Sequence, residues 1–88
     1  MSSASQARDL ADRLLLHVLQ DEELLSSLLG RSGMDPSQLA VVVNGPDIHE
    51  FILEFVTESD DRVIACAEAV GVDPNQIGMA SRILSRRD

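Results

Sequence analysis

Apolar residues recur at helical spacing through most of the chain, and no segment alternates apolar and polar residues as a half-buried strand would. In the first such segment, about residues 5–19, Leu10, Leu14 and Val18 are spaced to share one helix face. Five further segments show the same kind of apolar stripe. The pattern therefore predicts an all-α protein, a compact bundle of about six short helices.

Short polar residues, proline and glycine separate the predicted helices. Asp21 can cap the second helix, and Gly33 is suited to end it in the left-handed conformation. Asp35, followed by Pro36 and Gln38, predicts the capping box of a third helix that ends near residues 44–45. Similar signals begin the remaining three helices at Pro46-Asp47, Ser59 and Asp73-Pro74.

The chain contains an internal duplication. Residues 33–39 align with residues 71–77 at an offset of 38, and four of these seven aligned positions are identical. The same offset pairs Leu10 with Ile48 and Leu14 with Ile52. We therefore predict one domain over residues 1–88, built from two pseudo-repeated three-helix units at about residues 5–45 and 46–88, which together bury a core that neither unit could bury alone. Residues 1–4 are predicted to be disordered.

Composition limits the size of the core and the classes of partner. The 88 residues allow one domain, and only Phe51 and Phe55 are aromatic, so the core must be aliphatic. The formal net charge is −8, and all seven basic residues are arginines. Because this acidic balance repels phosphate backbones, nucleic acid is an unlikely partner.

Cysteine use and the N-terminal sequence favour a cytoplasmic location. Cys66 is the only cysteine, so it has no partner for an internal disulfide. The first residues lack a basic start followed by an apolar stretch, and no apolar run approaches the length that spans a membrane. We expect a cytoplasmic protein that does not bind membranes.

Several segments resemble the alphaproteobacterial family collected as domain of unknown function family 3572. The resemblance covers nearly the whole chain and is carried by residues 21–25 (DEELL), 33–36 (GMDP), 51–56 (FILEFV) and 67–74 (AEAVGVDP), together with Asp60-Asp61. Val18 stands where relatives often carry an aromatic residue, and Arg62 where they often carry an apolar one. The absence of lysine also fits a bacterial source with a GC-rich genome. The resemblance implies an all-helical fold, and it supplies no catalytic residues because the family has no established activity.

Residues 67–77 resemble a helix-turn-helix. Ala67, Gly71, Val72 and Ile77 occupy the small, turn, apolar and branched positions of that motif. However, any helix that ends at a glycine and restarts at Asp-Pro has the same pattern, and Asp73 would face phosphates. We favour this structural explanation, and we keep a nucleic-acid-binding protein using the last two helices as the alternative. The basic side chains that could contact a nucleic-acid backbone are Arg82, Arg86 and Arg87, although arginines at the end of a helix can equally complement the helix dipole.

No residues of the chain form a recognisable catalytic or metal-binding pattern. His17 and Asp21 have a spacing that could place two metal ligands together, but nothing completes the site. His49 is expected to be a surface histidine near an acid. Cys66 lies in an alanine-rich helix without a nearby histidine, which indicates a small buried side chain rather than a nucleophile. We therefore predict no enzyme activity, no cofactor and no metal.

The remaining class is a non-catalytic protein-interaction or regulatory module. The first helix carries more leucines than one face can use, and an uncovered apolar stripe favours association with another protein or with a second copy in a homodimer. Complete burial by the other helices is the alternative. The fourth helix adds an acidic stripe. The predicted interaction surface comprises Leu15, Leu16, Leu19, Glu50, Glu54 and Glu58.

Overall fold

The computed structural model describes residues 3–85, which form six α-helices and no strand. This confirms the predicted all-α class. The helices are α1 (Ser3–Gln20), α2 (Glu22–Ser32), α3 (Pro36–Val43), α4 (Ile48–Thr57), α5 (Asp60–Val70) and α6 (Pro74–Ser85).

The first helix begins earlier than the sequence pattern indicated. Ser3 and Ala4 lie in the first turn of α1, not in the disordered segment that we predicted for residues 1–4. Residues 1 and 2 lie outside the described residues, as do Arg86 and Arg87. Apolar periodicity places a helix start at its first buried position, here Ala7, and says little about the exposed turn before it.

The boundaries of α2 and the start of α3 follow from local hydrogen bonds at the predicted residues, whereas Asp47 before α4 makes no side-chain capping bond. The Asp21 carboxylate accepts the Leu24 N–H at 3.0 Å, which begins α2, and Gly33 ends it with a φ of 72°. At the start of α3, the Asp35 carboxylate accepts the Gln38 N–H while the Gln38 side chain accepts the Asp35 N–H, both at 2.9 Å. This reciprocal pair is a capping box, as the sequence indicated.

The core lies where α1, α4 and α6 meet. α1 packs against α2, α4, α5 and α6, and α6 also packs against α4 and α5. The fully buried side chains at this centre include Leu14, Val18, Ile52, Phe55 and Ile77. Phe51 is half-buried, so the core is almost entirely aliphatic.

The third helices of the two predicted units occupy different places. α6 packs extensively against three other helices, whereas α3 makes only weaker contacts and contributes Leu39 as its buried residue. The two-unit repeat therefore stays a prediction from the sequence. This difference in packing leaves one side of α3 without a covering helix.

Candidate functional site

An apolar groove of about 320 Å³ lies between the end of α1, the length of α2 and α3. We refer to it as the α1–α3 groove. All but one of its lining residues are apolar, the exception being an asparagine at its edge. The lining comprises Leu19, Leu25, Leu29, Pro36, Leu39, Ala40, Val43 and Asn44.

The groove forms because two apolar stripes face each other across a tight turn. Leu25 and Leu29 are four residues apart on α2, and Leu39 and Val43 are four apart on α3, so each pair lies on one side of its helix. The left-handed Gly33 reverses the chain between them. Since α3 packs only weakly on the other helices, the space between the stripes is not filled.

Further apolar surface is exposed on α1 and α3. Leu16 is 58% exposed and lies one turn before Leu19 on α1, and Val41 of α3 is 73% exposed. Leu15 and Leu19 are half-buried and pack against the core. Of the three leucines predicted to be uncovered, Leu16 is therefore exposed, Leu19 lines the groove, and Leu15 is partly covered.

The acidic stripe of α4 is largely paired within the molecule. The Arg31 guanidinium of α2 donates to Glu54 at 3.2 Å and to Glu58, which links α2 to α4. The hydrogen bond to Glu58, and then that to Glu54, raises the pKa of Arg31 above its ordinary value. Glu50 is half-buried. Local sequence gives no sign of these ion pairs, because their partners lie far apart along the chain.

Arg62 covers the ring of Phe55. Its guanidinium carbon lies 4.0 Å from the ring centroid, and its Nη1 atom donates to the Phe55 carbonyl oxygen at 2.7 Å. Glu58 lies 3.7 Å from the same nitrogen. The flat guanidinium can thus occupy a position that suits an apolar side chain, since it stacks on an aromatic face.

A second groove of about 430 Å³ runs between α1 and α6 and has a mixed polar and apolar lining. We refer to it as the α1–α6 groove. Arg13 lines it and donates to the Val70 carbonyl oxygen at the end of α5. A cation at this position complements the negative end of the helix dipole. The other lining residues are Ser3, Gln6, Ala7, Asp9, Leu10, Val72, Gln76, Met79, Ala80 and Ile83.

The segment that resembles a helix-turn-helix has the expected turn but a poor surface for nucleic acid. Gly71 adopts a φ of 76°, and Ala67 and Ile77 are buried, as that motif requires. However, α6 packs against three helices, and Arg82 is its only base among the described residues. The exposed side chains that α6 offers include Asn75, Gln76, Met79 and Arg82.

The residues considered for metal binding and nucleophilic chemistry lie in different surroundings. The Asp21 carboxylate caps α2, and His49 lies near an acid as predicted, with its Nε2 atom 2.7 Å from Asp12 Oδ1. Cys66 is fully buried, and this burial raises the pKa of its thiol. Within residues 3–85, no three His, Cys, Asp or Glu side chains gather closely enough to hold a metal ion.

Comparison with known proteins identifies a family but no characterised relative. The family model described as "Protein of unknown function (DUF3572)" matches residues 4–87, which is nearly the whole chain. No curated protein and no solved structure matches the chain. Of the helices in the described part of the chain, none is both long enough and apolar enough to cross a membrane.

Proposed function

We propose that this chain, which belongs to the DUF3572 family of proteins of unknown function, acts as a non-catalytic protein–protein interaction module. Its binding site in this proposal is the α1–α3 groove. The observation that carries the proposal is the lining of that groove, in which seven of eight residues are apolar although it is open to solvent. An apolar surface of this kind on a small protein often marks the contact site for another protein.

The shape of the site supports a helical partner segment. Two apolar stripes, Leu25 with Leu29 and Leu39 with Val43, form walls of the α1–α3 groove. An amphipathic helix places its own apolar residues at spacings of three, four and seven, so one of its faces fits between two such walls. The exposed Leu16, one turn before the groove residue Leu19, adds apolar surface on α1.

The polar side chains support a non-catalytic role. Asp21 and Asp35 cap helices, and Glu54 and Glu58 are paired with Arg31. These groups stabilise the fold, so they are poorly placed to act on a substrate. We further propose a cytoplasmic location, since a chain with one cysteine carries no internal disulfide of the kind that stabilises many small secreted domains.

Site-specific photo-crosslinking tests the proposal. A photoreactive amino acid replaces Ala40, which is exposed in the groove, or Ala65, which is exposed on α5 outside it. The variants are produced in the cells that normally make the protein, and their helicity is checked by circular dichroism. We expect a discrete crosslinked protein from position 40 and none from position 65. Crosslinking at neither position, or equally at both, would contradict the proposal.

A further inference from the structure

The surroundings of the α1–α3 groove are acidic. Residues 14–46, which supply all three of its walls, contain one arginine, Arg31, one histidine, His17, and the four acids Asp21, Glu22, Glu23 and Asp35. Glu22 is exposed one turn before the groove residue Leu25, and the exposed Asp35 directly precedes Pro36 at the groove. Acidic groups therefore stand near the start of α2 and, beyond the turn at Gly33, near the start of α3.

This negative charge is not compensated by the helices that form the groove. The Arg31 guanidinium is held by Glu54 and Glu58 of α4, so its charge is already matched. The positive ends of α2 and α3 offset only about half a charge each. A binding segment that carries positive charge would therefore gain electrostatic attraction in addition to apolar contact.

A second copy of the chain does not meet this requirement. A two-fold dimer through the α1–α3 groove would bring together two identical acidic surfaces, on chains that each carry a formal net charge of −8. Like charges placed together oppose association, and they select against the wrong partner. The homodimer that the leucines of α1 could suggest is therefore disfavoured at this groove.

We infer that the α1–α3 groove binds a basic amphipathic helix of another protein. This inference rests on the proposed function and names the class of partner. The partner helix places leucine-like residues at spacings of three, four and seven between the walls of the groove. Its lysines or arginines lie beside Glu22 and Asp35.

Two designed peptides of about 18 residues test the inference, because this length covers about five helical turns. Both carry the same leucine face, and their flanking positions carry lysine in one and glutamate in the other. Each is titrated into the isotopically labelled full chain and followed by NMR. We expect the basic peptide to shift the amide signals of Leu29 and Ala40, and to bind on the order of tenfold more tightly than the acidic one.

Matched variants locate the charge effect. Glu22→Gln should weaken binding of the basic peptide about twofold to threefold and reduce its dependence on salt. Glu68→Gln, an exposed acid on α5, removes charge elsewhere and should leave the affinity unchanged. An equal loss in both variants would show a general charge effect and would overturn the inference.

Other outcomes separate this inference from the proposed function. Equal affinity for the two peptides, or binding of neither, would overturn the basic-helix inference, and crosslinking at Ala40 would then decide the proposed function independently. Light scattering across a concentration series checks for a second copy. A dimer in which the photoreactive residue at position 40 crosslinks to a second copy of this protein would also overturn the inference, although the groove would remain a protein-binding site.

Discussion

Replacing Gly30 and Gly33 with alanine should change the stability of the protein in opposite directions. Gly30 lies inside α2, whereas Gly33 ends that helix with a φ of 72°. A Cβ atom added at either position would meet no other atom within 4 Å. Steric contact is therefore the same at both sites, and only the backbone conformation differs.

The expected magnitudes follow from the two conformations. Glycine inside a helix is about 0.5–1 kcal/mol less favourable than alanine, so Gly30→Ala should raise the free energy of unfolding by that amount. A left-handed conformation costs an L-residue about 1–2 kcal/mol in the folded protein. Alanine also restricts the unfolded chain more than glycine does, and this restriction offsets about 0.4–1 kcal/mol of that cost. Gly33→Ala should therefore lower the free energy of unfolding by about 1 kcal/mol.

Urea denaturation followed by far-ultraviolet circular dichroism measures both changes. With equal m-values, the two variants should differ by about 1.5–2 kcal/mol, which corresponds to roughly 6–16 °C in Tm for a domain of this size. Gly71→Ala, whose φ is 76°, should repeat the loss seen for Gly33→Ala. Shifts of the same sign for Gly30→Ala and Gly33→Ala would refute the reasoning, because they would mean that the left-handed turn does not control the effect.

Three further predictions concern the core, a stacked cation and a helix cap. Leu28→Ala should lower the free energy of unfolding by about 2–5 kcal/mol in urea denaturation, because Leu28 is fully buried. Leu16→Ala, at a residue that is 58% exposed, should lower it by well under 1 kcal/mol. Similar losses in the two variants would contradict this difference in burial. Arg62→Lys should cost about 1 kcal/mol in the same assay, since lysine keeps the charge but loses the flat stacking surface and its hydrogen bond to the Phe55 carbonyl; an unchanged midpoint would contradict this role. The Ser37 hydroxyl, and then backbone hydrogen bonding, lowers the pKa of Asp35, so its contribution to stability is present above the unfolded pKa and is lost as pH falls through the folded pKa. Asp35→Asn should therefore be less stable than wild type at neutral pH, and the difference should shrink in acid-titration measurements; a constant difference would exclude the charge as its cause.

The helix boundaries could be predicted because they depend on local interactions. Asp21, Gly33 and the Asp35–Gln38 pair each act within about four residues, so the sequence contains the whole interaction. The start of α1 at Ser3 was missed because the first buried apolar residue of the helix, Ala7, lies one turn further along. Boundary errors of this kind reflect the weak energetic difference between a helical and a frayed first turn.

The candidate site could be predicted only in part, since it depends on how the helices pack. An excess of leucines on α1 indicates uncovered apolar surface, but the sequence does not show that α3 would pack weakly and leave Leu29 and Val43 facing open space. Part of the acidic stripe is engaged within the molecule, because Arg31 of α2 donates to Glu58 at the end of α4. Long-range ion pairs of this kind have no periodic signature.

The extensive packing of α1 on α6 constrains how the chain can fold during synthesis. These two helices are the farthest apart of the six along the chain, yet they share the centre of the core. While the ribosome is still making α6, the apolar faces of α1 and α4 lack one of their main covering surfaces. The nascent chain must therefore hold Leu14 and Ile52 in a loosely collapsed state until α6 emerges, and this interval is when binding of a chaperone would matter most.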